Sequence, residues 1–205
     1  MRSEQESRIL EEAVAQADSI AIAGHIRPDG DCVGACLGLY NYLQENFNAS
    51  FEKEITVYMK DIPETFLFLK NSGKPIWEFE EEKQYDLFIV LDCSSGDRLG
   101  EAAKYFRSAK HTLCFDHHIS NSGHFTEKLV LYPDYSSTCE VLFTCMCEEK
   151  ISLSTAEALY LGLRLRKRSI SALYMIPACS NIQIPWSRQC ASRENCCQKE
   201  WTHQK

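Results

Sequence analysis

The chain has 205 residues, 44% of them hydrophobic and 25% charged, an ordinary globular composition with room for a buried core. Its net charge of −7 excludes a global attraction to nucleic acid or an anionic membrane, so a phosphate-bearing ligand would need a local cation. No apolar run approaches the roughly 20 residues of a membrane span, and no membrane partner is expected.

Ile9, Leu10, Ala13, Val14 and Ala17 share one face and predict a helix over 4–17, polar and amphipathic rather than a signal peptide. "SIAIAGH" predicts a short buried strand from Ser19. "DCVGACLGLYNYLQENF" predicts a helix, with Val33, Leu37, Tyr40 and Leu43 aligned and Asp31 as a candidate cap before Cys32. "EITVYM" is a second strand. "YDLFIVLDC" is a third, apolar throughout as expected where both faces are covered. "RLGEAAKYFRSA" reads as a helix, "HTLCFDHH" as a fourth strand and "KLVLYP" as a weaker fifth. "SSTCEVLFTCMCEE" reads as a helix with Ser136 or Ser137 as cap and Glu140 completing a capping box. "LSTAEALYLGL" opens another, with Ser154 and Glu157 in the same relation. Alternating strands and helices define an α/β class with a mainly parallel sheet and helices on both faces.

The 11 cysteines are expected to be reduced thiols of a cytoplasmic protein. Cys32, Cys36, Cys114, Cys139, Cys145 and Cys147 fall in apolar periodic segments, where a buried thiol acts as a small hydrophobe. Cys145 and Cys147 would point to different faces of one helix, which argues against a zinc pair.

Ligands of parallel α/β sheets gather at the carboxyl ends of strands. The first strand is followed by "GHIRPDGDCVGA", with His25, Asp29 and Asp31. The third is followed by Asp92, and the fourth by Asp116, His117 and His118. Each has a plain alternative: Asp92 as a turn residue, Asp31 as a cap, "DHH" as a chance string. His111 and His124 lack the setting and read as loop residues. Three such strand ends in order point instead to one site. Carboxylates mixed with imidazoles suit Mn²⁺ or a related divalent ion. Four or five ligands exceed the need of one ion, so a carboxylate bridging two ions about 3.5–4 Å apart is the natural use.

The segments "GHIRPDGDCVGA", "VLDCSSGDRLG" and "CFDHHISNSGHF", with the later "YSSTCEVLF", resemble the DHH phosphoesterase superfamily over about residues 4 to 163. Within it they are most similar to the bacterial bifunctional oligoribonucleases, or nano-RNases, that also remove the 3′-phosphate of pAp. The resemblance implies two Mn²⁺ sites, with Mg²⁺ or Co²⁺ as alternatives. One would use His25, Asp29 and Asp92; the other would use Asp31, Asp92 and His117. It implies His118 as a charge stabiliser or proton donor beside the scissile phosphate, and Asp116 as the residue that orients the site. Arg27 could touch a phosphate; Arg98 is expected to pair within its own loop. The implied substrates are short RNA or a nucleotide 3′-phosphate. Nothing in the pattern fixes an oligomeric state.

The family's fourth motif, an aspartate in "DTG", and its glycine-rich substrate-binding domain have no counterpart here. From Arg164 to Lys205 the chain carries 8 Lys/Arg against 2 Asp/Glu, whereas the remainder carries 14 against 27. "RLRKR" with Trp186 and Trp201 could form a basic arm that stacks on bases. A slipped reading frame is the other explanation. Codons for Met175–Ile176 read from their third base give aspartate without free choice, and the flanking codons permit "HDTG". The shifted frame also permits a second "AEALYLG" after Ala156–Gly162, as a short tandem duplication would leave. Residues 1–163 are thus expected to be an incomplete DHH domain, and 164–205 an aberrant basic tail. Two readings follow: an impaired two-metal phosphoesterase, or a metal- or nucleotide-binding remnant without turnover. Cyclic-dinucleotide and pyrophosphate hydrolysis are alternatives within the family.

Overall fold

The computed structural model describes residues 4–48, 52–75, 79 and 83–165, so the basic tail beyond Leu165 lies outside the described residues. Five parallel strands form one sheet in the order β2-β1-β3-β4-β5. They are β1 Ser19–Ala23, β2 Glu54–Tyr58, β3 Leu87–Leu91, β4 His111–Asp116 and β5 Lys128–Leu131. All five residues of β3 are buried, as its unbroken apolar run requires. The pairings Ile22↔Ile89 and Ile89↔Leu113 place the ends of β1, β3 and β4 level.

The helices are α1 Glu4–Ala15, α2 Gly30–Asn46, α3 Ala103–Ser108, α4 Thr138–Cys145 and α5 Leu153–Leu165. One face of the sheet buries Ile20, Ile22, Ile89 and Phe115 against Leu10, Leu37, Leu142 and Leu159 of α1, α2, α4 and α5. The other is thinner: Ala21, Phe88, Val90 and Cys114 lie under Tyr105 and Phe106 of α3, with Tyr58 and Tyr85 completing an aromatic cluster. Helices α2 and α5 meet through glycines. A Cβ on Gly34 would stand 2.5 Å from the Ala158 carbonyl, and one on Gly162 would stand 2.8 Å from Asp31 Oδ1. Among the described residues no helix is long and apolar enough to cross a membrane.

Several local expectations are corrected. Helix α2 starts at Gly30, and its cap is Asp29, which accepts from the N–H groups of Asp31 and Cys32; Asp31 is inside the helix. The segment after β3 is not one helix. A 3₁₀ stretch, Gly96–Ala102, precedes α3 and is kinked at Gly100, with φ +59°. Glycine is required there, since a Cβ would lie 2.6 Å from an Ile26 methyl. Of the two candidate caps of α4, Ser137 takes the role, accepting from the Glu140 N–H at 3.1 Å. Helix α5 starts at Leu153, two residues earlier than a cap at Ser154 would place it. The Ser152 hydroxyl accepts from Thr155 N–H, while Ser154 donates to Glu45. Cys147 lies beyond the end of α4 and is partly exposed; Cys32, Cys36, Cys93, Cys114, Cys139 and Cys145 are buried free thiols.

Candidate metal centre

The strand order reverses between β1 and β3, since β1 connects onward to β2 on one side and neighbours β3 on the other. A crevice opens at the carboxyl edge of a parallel sheet at such a point. His25, Asp29 and Asp31 follow β1 there, and Asp92 follows β3. The connection from β4 to β5 carries no helix; it begins with His117 and His118 and folds over the same edge.

Asp92 is the hub. It is 0% exposed and turns sharply out of β3 with φ +54°, a left-handed conformation that an aspartate tolerates at a cost of about 1–2 kcal/mol. Its Oδ2 lies 3.5 Å from His25 Nε2. Its Oδ1 lies 3.7 Å from His117 Nε2 and 3.6 Å from His118 Nδ1. His25 Nε2 is also 3.9 Å from Asp29 Oδ1, and His117 Nε2 is 3.6 Å from Asp31 Oδ2. Two groups of possible ligands therefore share Asp92: His25, Asp29 and Asp92, and Asp92, His117 and His118. Asp31 adjoins the second through His117.

The imidazoles are preset. His25 Nδ1 faces the Ile26 carbonyl at 2.8 Å, and His117 Nδ1 faces the Tyr135 carbonyl at 3.2 Å. A carbonyl only accepts, so each Nδ1 carries the proton and each Nε2 turns its lone pair toward carboxylates. A lone pair facing a carboxylate oxygen calls for a cation or a proton between them. Asp92 Oδ2 is buried and accepts no hydrogen bond among the described residues. A divalent ion satisfies that oxygen and both lone pairs, so these residues fit the implied metal.

The charges agree. Burial, and then the charge of Asp92, push the Asp31 carboxyl up to about 7. Burial alone would also raise Asp92, but the adjacent His25 imidazole, the hydrogen bond from Thr138 and the charge of His118 hold it below the usual carboxylate range. The adjacent Asp92 carboxylate raises the His25 imidazole above its ordinary value, against the effect of burial. A divalent ion would balance the carboxylates that meet here.

Asp116 is different in kind. It is 0% exposed, and its Oδ1 accepts from the N–H groups of His117 at 2.8 Å and His118 at 3.2 Å and from His118 Nδ1 at 2.7 Å. Nδ1 of His118 is thereby committed inward, and Nε2 is left for the crevice. Arg27 is exposed with φ +57°, and no ion pair is formed by it among the described residues. Arg98 does not pair within its loop as expected. Its backbone carbonyl accepts from Ile26 N–H at 2.8 Å, and no carboxylate pairs with its guanidinium among the described residues. Nor is His111 a loop residue: it opens β4 and pairs with Glu127 at 3.0 Å.

The sequence reading did not assign Thr138, Cys139 or Asn121. Asp31 accepts from Thr138 N–H at 2.9 Å and from Cys139 N–H at 3.0 Å, so it sits on the N-terminus of α4. The small-hydroxyl start in "YSSTCEVLF" was the available signal. Asn121 lies within "CFDHHISNSGHF", yet nothing in that string tells which residue it holds.

The family described as "DHH family, N-terminal domain" matches residues 19–163. The chain belongs to the DHH family. The match spans β1 to α5 and includes all the residues around Asp92. Among curated relatives, the bifunctional oligoribonuclease and PAP phosphatase NrnA of Mycoplasma pneumoniae is 30% identical over 74% of this chain and 47% of its own length. The cyclic-di-AMP phosphodiesterase GdpP of Geobacillus thermodenitrificans is 25% identical over 80% of this chain and 27% of its own. The chain thus spans less than half the length of these relatives. The crystal structure of an exopolyphosphatase-related protein from Bacteroides fragilis shares the fold, with a TM-score of 0.72 and 21% identity over 89% of this chain and 58% of that one.

Proposed function

We propose that this DHH phosphoesterase domain hydrolyses short oligoribonucleotides from an end, or the 3′-phosphate of pAp, with two Mn²⁺ ions. The observation that carries the reading is the convergence of three imidazoles, those of His25, His117 and His118, on one buried carboxylate, Asp92. The substrate class rests on the similarity to NrnA. His25, Asp29 and Asp92 would hold one ion, and Asp31, Asp92 and His117 the other; Mg²⁺ or Co²⁺ could replace Mn²⁺. When bound, such a pair neutralises phosphate charge and makes water a competent nucleophile near neutral pH.

The protein's own groups do the rest. Asp92 holds the two ligand sets together. Asp116 fixes the His118 ring, and Nε2 of the protonated ring donates a proton to the departing oxygen. Asp116 stabilises the charged ring before that transfer without taking its proton, and the ring is left neutral with its proton on Nδ1. Arg27 contacts a substrate phosphate beyond the metals. Burial and the charge of Asp92 push the Asp31 carboxyl up to about 7, so it must shed a proton to bind and the second ion would be held more weakly than the first. The buried free thiols support a reducing, cytoplasmic setting.

The similarity to GdpP supports a second reading, hydrolysis of a cyclic dinucleotide at the same site. Incubation with Mn²⁺ and pAp, a diribonucleotide or cyclic di-AMP separates them. Turnover of the first two that vanishes in Asp92→Ala supports the proposal; turnover of the cyclic compound alone replaces it with the second reading. Equal rates in the variant, or no turnover of any substrate, count against catalysis by this chain.

A further inference from the structure

A buried carboxylate keeps its direction only if both its oxygens are held. Asp116 Oδ1 has three donors, all within the residues 116–118. Its Oδ2 has one donor among the described residues, the Asn121 amide at 2.8 Å. Asn121 is 4% exposed. Its Oδ1 accepts from Gly123 N–H at 2.9 Å, which fixes the amide orientation and directs Nδ2 to Asp116. The same Nδ2 lies 3.4 Å from the carbonyl of Cys93, the residue after Asp92. Closing the turn needs only the bond to Gly123. The amide nitrogen is spent on something else: it ties the loop after β3 to the carboxylate that orients His118.

We infer that Asn121 is a positioning residue for the proton donor, acting through Asp116. Its amide stops the Asp116 carboxylate from rotating, and the fixed Oδ1 keeps the His118 proton on Nδ1 and Nε2 in the crevice. The chain of contacts is Asn121 Nδ2 to Asp116 Oδ2, then Asp116 Oδ1 to His118 Nδ1. The catalytic part of this inference rests on the proposed role of His118; the positional part does not.

Two variants test it in the full chain. Asn121→Ala removes the amide. Asn121→Asp keeps the shape and the acceptor for Gly123 but places an oxygen against Asp116 Oδ2, and it carries the test if the alanine variant does not fold. The first readout is the ¹H–¹⁵N spectrum of the His118 ring with Mg²⁺ at about pH 8.5, where imidazole is neutral. The wild-type chain should show the Nδ1–H tautomer alone, and both variants should gain an Nε2–H signal. An unchanged spectrum overturns the inference.

The second readout is turnover with two leaving groups. An alkoxide leaving group such as a nucleoside needs the proton, and its hydrolysis should fall about a hundredfold in the variants, the scale of a 1 Å misplacement. A p-nitrophenolate leaves without it, and its hydrolysis should change little. Equal losses on both would make Asn121 a purely structural residue and overturn the catalytic part. If His118→Ala leaves both rates unchanged while the Asn121 variants still shift the tautomer, the proposed role of His118 fails and the positional inference stands.

Discussion

The Thr138 hydroxyl donates to Asp92 Oδ1 at 3.0 Å, tying the first turn of α4 to the end of β3. Thr138 is 0% exposed, and its N–H also holds Asp31. One residue thus restrains both buried carboxylates of the centre. Thr138→Val keeps the volume and the backbone bond and removes the hydroxyl. Mn²⁺ affinity should fall by about 10–100-fold, the usual effect of losing a partner of a metal ligand. Thr138→Ser should retain most of it. Calorimetric titration of the three proteins checks this; equal affinity in the valine variant would show that Asp92 needs no such support.

Acidity gives the second prediction. Asp31 and His25 both have folded-state values raised above their ordinary ones. A raised value means that the folded chain holds the proton more tightly than the unfolded one. For Asp31 that advantage is full below the unfolded value of about 4 and is lost as pH rises to about 7. For His25 it is lost as pH rises through its raised value. Asp92, held low, works the other way, but its contribution is already present above about pH 4. The metal-free chain should therefore melt higher at about pH 6 than at about pH 8, whereas stabilisation by Mn²⁺ should grow over that range because ligands must shed protons. Thermal unfolding with Mn²⁺ or with a chelator checks both trends, and parallel trends would contradict the assignment.

The contact of α2 with α5 gives the third. A Cβ on Gly34 meets a backbone carbonyl at 2.5 Å, and a backbone atom cannot swing aside like a side chain. Gly34→Ala should cost about 1–3 kcal/mol, the scale of overpacking. Because Asp31 is one turn away on the same helix, Mn²⁺ affinity should fall as well. Denaturant unfolding and metal titration of this variant measure the two effects, and an unchanged midpoint would mean that the helices separate at little cost.

Much of the fold was legible because local pattern and burial agree. The apolar run of β3 could only be a doubly covered strand, and the ligands at the ends of β1, β3 and β4 could be placed once the strands were. What failed was decided at a distance. Asp31 and Asp29 are both plausible caps of α2, and the choice is made by α4, whose first N–H groups take Asp31. The 3₁₀ stretch before α3 reads as helix until Ile26 demands a glycine at position 100. Thr138 and Asn121 carry no ligand chemistry of their own. They matter through Asp92 and Asp116, at sequence separations of 46 and 5 residues.

The most direct test of a divalent-metal centre built on Asp92 is a calorimetric Mn²⁺ titration of the full chain and of Asp92→Ala. Two bound ions of unequal affinity are expected for the wild-type chain, with both lost or severely weakened in the variant. Equal binding by the two proteins, or none by the wild-type chain, would contradict it.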